Sequence, residues 1–251
     1  MVEGDLDRPA ELTIRQVDGH PFAPFQVVGE PQPLADVRLV SPVLPSKVVA
    51  IGRNYADHAK ELGNEVVPDA APITFLKPST SVIGPGDRIQ YPTGVSHDVH
   101  YEGELAVVIG RLCREVPAAR AADVILGYTC ANDVTARDLQ KAEPQWARAK
   151  GFDTFCPLGP WIETDPGSPL ADDLAVTTTV NGELRQAGRT SALLHPIAEL
   201  IEFITAAMTL LPGDVILTGT PAGVGPLEPG DEVSVAIENV GTLTNSVVAR
   251  G

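Results

Sequence analysis

Short apolar runs and alternations dominate the chain, and most are too short to be helices. Residues 48–51, 73–76, 104–109, 175–180, 215–218 and 233–237 read as strands, dense in Val, Ile and Thr and bounded by turn residues. Pro-Gly-Asp recurs at 85–87, 212–214 and 229–231, each time with a β-branched residue within two positions. Pro followed by Gly is type II turn chemistry, so each triplet predicts a turn that launches a strand. Asn181-Gly182 adds a two-residue hairpin signal. The one long helical pattern runs through Ile197, Leu200, Ile201, Ile204 and Met208, with Pro196 at N1 and Leu211-Pro212-Gly213 as its stop. It predicts a helix covering the core, with His195 as a cap or structural group. A second, two-turn helix is predicted over 54–63, with Asn54 at the N-cap, Asp57 at N3 and Gly63 at C′. At that length it is marginal without packing or a ligand. The first 45 residues hold β-like stretches at 11–15 and 24–28, then a Pro-dotted segment over 31–45. They predict a small N-terminal β module on a stiff connector, with the main domain spanning 46–251.

Length and charge narrow the classes. A chain of 251 residues with 43% hydrophobic and 20% charged residues can bury a substantial core, and it has no apolar run long enough to span a membrane. Eighteen basic against 33 acidic residues give a net charge of −15. Such a surface repels phosphate backbones and anionic lipid heads, so neither nucleic acid nor a membrane is expected as a partner. The acidic start Met1-Val2-Glu3-Gly4-Asp5 has no apolar stretch of the secretory kind, and Cys113, Cys130 and Cys156 are too scattered for a disulfide framework or thiolate metal site. A reducing cytoplasm is the expected location.

The candidate chemistry begins at Glu102-Gly103-Glu104, immediately before the apolar run 105–109. Strand periodicity points both carboxylates to one face, at the edge of a core. Two like charges there are tolerated when protons or a cation neutralise them, and oxygen-only ligands select Mg²⁺, Mn²⁺ or Ca²⁺. The alternative is a pair of edge-strand glutamates facing water. Asp133, after the apolar approach 127–132, stands where a strand end could supply a third carboxylate and leave coordination positions open. Arg137 and Gln140 follow four and seven residues later, on one face of a helix expected to begin near Asp133. His58 and Glu61, three apart on the short helix, form either a carboxylate-oriented general base or an exposed surface pair. Thr220 lies in the Gly-rich turn 218–225, whose N–H groups could cradle an anion, although the turn lacks the lysine of a P-loop.

These segments, taken in order, closely resemble the fumarylacetoacetate hydrolase family, in particular its short acylpyruvate hydrolases, oxaloacetate decarboxylases and 2-hydroxyhepta-2,4-diene-1,7-dioate isomerases. The blocks that carry the resemblance are IGRNYADHAKELG (51–63), TFLKPSTSVIGPGD (74–87), YEGELAVVIG (101–110), GYTCANDVTARDLQ (127–140), KGFDTFCPLGPW (150–161), VNGELRQ (180–186) and ILTGTPAGVG (216–225). It extends from Lys47 to the C-terminus and leaves the N-terminal module without a role.

The resemblance implies a β-rich α+β fold, a mixed β-sheet roll or partly open barrel, assembled as a homodimer. It implies Glu102, Glu104 and Asp133 as ligands of Mg²⁺ or Mn²⁺, His58 and Glu61 as a dyad on a lid, and Lys150 as the group that stabilises or protonates an enolate. Arg137, Gln140, Lys77 and Thr220 would face the oxygens of a small anionic 2-oxo acid. The implied activity is metal-dependent cleavage of a C–C bond through an enolate held by the ion, by acylpyruvate-type hydrolysis or oxaloacetate decarboxylation. Isomerisation of a 2-hydroxydienoate is the enzymatic alternative, and a non-catalytic cation or small-acid binding protein the alternative of another class.

Overall fold

The computed structural model describes residues 1–6, 8–61, 63 and 70–250. Leu62 and residues 64–69 lie outside the described residues.

A seven-stranded mixed sheet forms the centre. Its order is Ile73–Lys77, Val48–Gly52, Val215–Leu217, Gly103–Ile109, Ile125–Asn132, Cys156–Glu163 and Val82–Ile83. Strand Gly103–Ile109 is buried along its whole length, and its alternation serves two cores. Leu105, Val107 and Ile109 pack with Leu200, Ile201 and Ile204 of the helix Ile197–Ala207, while Ala106 and Val108 face the opposite cluster with Val48, Ala50 and Leu158. A strand covered on both faces reads as a continuous apolar run, and only its first residues are polar.

The second sheet has five strands, in the order Glu183–Arg189, Ala175–Val180, Glu232–Ile237, Gly241–Ala249 and Arg88–Tyr91. It packs across the first where Val176, Val235, Ile237 and Leu243 join the main core. Gly103 sits at this contact. A Cβ on it would lie 2.1 Å from Thr178 Oγ1, so the residue between the two glutamates must be glycine for the sheets to approach. A short three-stranded sheet, Thr135–Ala136, Val99–Tyr101 and Gly225–Pro226, closes the edge beside it.

The predicted turns occur as expected. Gly86, Gly213 and Gly230 have φ of 72°, 86° and 105°, and each precedes a strand. Asn181 and Gly182 both have positive φ, as a type I′ hairpin requires. Pro196 is the N-cap of the long helix rather than its first residue. The short helix is Ala56–Glu61, and Asn54 does not cap it. Tyr55 O accepts the first helical bond, from Ala59 N. Asn54 is buried instead and ties three segments together: its Nδ2 donates to Thr218 O and His195 O, and its Oδ1 accepts from His195 N.

Residues 1–33 form a separate three-stranded antiparallel sheet, Val2–Glu3, Thr13–Asp18 and Gln26–Pro33. Ser46 Oγ and Lys47 N bond Asp214 Oδ1, and Lys47 Nζ pairs with its Oδ2. The three cysteines are free and buried, and no described helix is long and apolar enough to cross a membrane.

Candidate active site

Strand register builds the acidic cluster. Ala131 pairs with Glu104 and Asn132 with Gly103, and Asp133 N then donates to Glu102 O at 2.8 Å. Asp133 thus falls on the same face as Ala131 and Glu104, so one β-ladder brings together carboxylates 29 residues apart in sequence. One oxygen from each of Glu102, Glu104 and Asp133 lies within 4.8 Å of the others, and all three residues are buried.

Three basic groups are buried against them. Lys150 Nζ donates to Glu102 Oε2 at 2.8 Å and to Asp133 Oδ2 at 2.5 Å. Arg137 Nη2 donates to Glu102 Oε1 at 2.6 Å, and Lys77 Nζ to Asp133 Oδ1 at 2.5 Å. The count of formal charges is balanced, but its distribution is not. Among the described residues Glu104 receives a single hydrogen bond, from Gly219 N at 2.7 Å. Burial first, then the neighbouring Asp133 and Glu102, push its carboxyl well above the usual range. Burial also raises the Glu102 carboxyl, but Lys150 and Arg137 more than offset it and hold it far below the usual range. For Lys150, burial lowers the ammonium, yet Asp133 and Glu102 outweigh it and keep the group protonated.

A buried carboxylate short of cations beside two more carboxylates, all with hard oxygen donors, fits a divalent metal ion. A divalent ion held here would compete with a proton for Glu104, which would set a pH dependence. Because the folded-state pKa is raised, the proton stabilises the metal-free fold below the unfolded pKa, and that stabilisation is lost as pH rises through the folded value. The gain in unfolding midpoint on adding MnCl₂ or MgCl₂ is therefore expected to grow as pH rises above the ordinary carboxylate range, with proton release on binding. Thermal unfolding with and without each salt checks this; a midpoint shift independent of pH would count against Glu104 as a ligand.

The cluster opens into a cavity of about 280 Å³, whose wall includes Glu102, Glu104, Arg137, Gln140, Lys150, Thr220 and His58. The segment after Asp133 is extended first, as strand Thr135–Ala136, and the helix starts only at Arg137 and runs to Ala142. Arg137 and Gln140 nevertheless share its inner face, with Arg137 Nη1 donating to Gln140 Oε1 at 2.6 Å. Arg137 Nε is buried without a partner among the described residues, a donor left over for a ligand.

His58 lies 3.4 Å through Nδ1 from Glu61 Oε2 and is almost fully buried. Both oxygens of Glu61 accept from Gly223 N at 3.1 Å, which docks the short helix on the Gly-rich loop. Burial, the largest influence, lowers the His58 pKa, and the opposing pull of Glu102 and Glu61 does not restore it. His58 is a neutral imidazole at neutral pH. With Nδ1–H directed at Glu61, Nε2 is the basic nitrogen.

Two expected substrate contacts have partners within the protein. Lys77 has no exposed side-chain surface and stands behind Asp133, with Val134 O as its second acceptor at 3.3 Å. It orients Asp133 and does not line the cavity. Thr220 reaches the wall, but its hydroxyl donates to Gly103 O at 2.8 Å and accepts from Gln186 Nε2 at 2.7 Å. It fixes the strand carrying Glu102 and Glu104. Gln186, also bonded through Oε1 to Gly103 N, had no signal beyond its place in the block 180–186. Ile51, Gly52, Arg53, Lys141 and Trp146 complete the wall and were equally silent as site residues.

Residues 47–248 match the family described as fumarylacetoacetate (FAA) hydrolase C-terminal. The chain belongs to this family. Residues 2–42 match a second family, described as Rv2993c-like, N-terminal. A crystal structure of 2-hydroxyhepta-2,4-diene-1,7-dioate isomerase from Mycobacterium marinum superposes with a TM-score of 0.91 at 53% identity, covering 100% of this chain and 93% of that one. Oxaloacetate tautomerase YisK of Bacillus subtilis is 43% identical over 223 residues, 86% of this chain and 74% of that protein. Maleylpyruvate hydrolase from Sphingobium, in complex with manganese(II) and pyruvate, superposes with a TM-score of 0.76 at 37% identity, covering 88% of this chain and 78% of that one. The fumarylacetoacetate hydrolase relatives thus share the strand-rich α+β fold, with its curled half-barrel sheet, and carry isomerase, tautomerase and hydrolase names.

Proposed function

We propose that this family member is a divalent-cation-dependent enzyme that moves a proton at the carbon next to the oxo group of a 2-oxo acid, as a tautomerase or double-bond isomerase does. The observation that carries the reading is the opening of a buried, cation-seeking carboxylate cluster and a neutral, carboxylate-oriented histidine into one small cavity. Glu102, Glu104 and Asp133 would hold Mg²⁺ or Mn²⁺, and the manganese and pyruvate complex of the hydrolase relative supports that choice. When bound, such an ion supplies positive charge opposite the carboxylate and oxo oxygens of the substrate head.

The chain's own groups do the rest. Arg137, with its spare Nε–H, and Gln140 receive the head carboxylate. Lys150 Nζ places a fixed positive charge where the oxo oxygen gains electron density as the proton leaves carbon. His58 Nε2 accepts that proton, and Glu61 holds Nδ1–H as the ring becomes cationic. A second reading, hydrolytic or decarboxylating C–C cleavage, uses the same enolate-forming groups; the Glu61-oriented His58 favours its hydrolytic form, because the pair could activate water instead. The test follows the enol absorbance of oxaloacetate, its decarboxylation, and acetylpyruvate cleavage, after EDTA treatment and again with MgCl₂ or MnCl₂. Ketonisation restored by metal and faster than either cleavage is expected; metal-independent rates would sink the reading. The acid limb of kcat/KM is expected below the ordinary histidine value of about 6.5, since protonating His58 removes the base. Rate profiles at saturating metal check that limb.

A further inference from the structure

Four cationic side chains line the cavity, and three already have carboxylate partners: Arg137 and Lys150 in the acidic cluster, and Lys141 with Asp98 at 3.8 Å. Arg53 has none among the described residues. Its backbone has φ of 58°, the left-handed region, which a branched-free but bulky L-residue adopts only when its surroundings impose it and which recurs at ligand-binding positions. The surroundings are specific. Arg53 Cζ lies 5.8 Å from the ring centre of Trp146, and that ring occupies the space beside Gly52, where a Cβ would meet Trp146 Cζ3 at 2.5 Å. Trp146 meets Phe75 edge-on at 5.4 Å, and Lys150 Nζ lies over the Phe75 ring, 5.0 Å from its centre. Two aromatic rings in contact thus link the lysine of the acidic cluster to the exposed Arg53.

We propose that Arg53 receives a second carboxylate, at the end of the substrate away from its 2-oxo acid head, and so selects dicarboxylic 2-oxo acids. This rests on the 2-oxo acid reading above. Arg137, Lys150 and Lys77 are each paired within the acidic cluster, and Arg137 with Gln140 already serves the head carboxylate, so no further basic side chain of the inner end remains for a second one. A second carboxylate entering the cavity loses water and needs its own partner. The guanidinium fork can hold one bidentately, and stacking on Trp146 limits the freedom it loses on doing so. The small cavity suits a short chain joining the two acidic ends.

Arg53→Met keeps a chain that can pack on Trp146 and removes the charge; Arg53→Lys keeps the charge without the fork. The two substrates are oxaloacetate, a dicarboxylate, and acetylpyruvate, which ends in a methyl group, both with MgCl₂ or MnCl₂. In Arg53→Met the ratio of kcat/KM for oxaloacetate over acetylpyruvate is expected to fall on the order of 10²-fold, mainly through KM. Arg53→Lys is expected to recover part of it. Equal losses on both acids, or an unchanged ratio, overturn the proposal. If the wild type turns over neither acid, the functional reading fails and calorimetric binding of the same two acids decides Arg53 separately. A binding ratio that falls in Arg53→Met upholds the receptor, whereas one that stays constant, or no binding to the wild type, removes it.

Discussion

Glu104→Gln is expected to abolish metal-dependent turnover, by roughly 10³-fold or more, while the metal-free protein keeps or raises its unfolding midpoint. The opposed signs follow from the geometry. Among the described residues Glu104 is the carboxylate of the cluster with one hydrogen bond and no basic partner, so the neutral amide removes repulsion from Asp133 and Glu102 without stranding any cation. It also removes the negative ligand the ion requires, so MnCl₂ should no longer raise the midpoint. Asp133→Asn is a harsher probe than its place in the sequence suggests. Asp133 pairs with both Lys77 and Lys150, and neutralising it leaves a fully buried ammonium without a counter-charge, a change that costs about 3–5 kcal/mol. Loss of activity in that variant confounds unfolding with chemistry. Kinetics and thermal unfolding of Glu104→Gln, with and without metal, separate them; wild-type turnover in this variant would falsify the metal site.

His58→Ala and Lys150→Met are expected to divide the reaction into its two halves. Removing His58 takes away the proton acceptor and leaves Lys150 and the carboxylate cluster intact, so ketonisation of oxaloacetate and cleavage of acetylpyruvate should each fall on the order of 10² to 10⁴-fold. Decarboxylation of oxaloacetate needs no base at carbon and should fall less. Lys150→Met should impair all three, because each develops negative charge on the same oxygen. The lysine also bridges Glu102 and Asp133, so its loss should raise the demand of the cluster for a cation and steepen the stabilisation by MnCl₂. Measured kcat/KM for the three reactions in both variants is the check. An unaltered ketonisation rate in His58→Ala would remove the imidazole from the mechanism.

Much of the site was legible because its signals are local. Glu102 and Glu104 stand two apart before an apolar strand, and a period of two needs no tertiary knowledge to put them on one face. The His58 and Glu61 pair follows in the same way from helical spacing. Lys77 and Thr220 were assigned to the substrate through family likeness, and their partners turned out to be Asp133 and Gly103. Type and order of residues cannot show which side of a carboxylate an ammonium stands on. Asn54 was misread for a similar reason: Asn before a short helix is a good cap, but here the packing of His195 and Thr218 claims its amide.

The sequence by itself determined six of the main strands, the Pro-Gly-Asp and Asn-Gly turns, the long core-covering helix and the residue types able to hold a hard cation, because each rests on contacts between near neighbours or on periodicity. Only the tertiary structure decided that Asp133 completes the cluster, since that depends on the register of Ile125–Asn132 against Gly103–Ile109. It alone decided the pairing of three buried bases with three buried acids, where burial converts exchangeable surface charges into committed partners. It alone left Arg53 unpaired on the wall, because a side chain's lack of a partner is a property of everything around it and is written in no single segment.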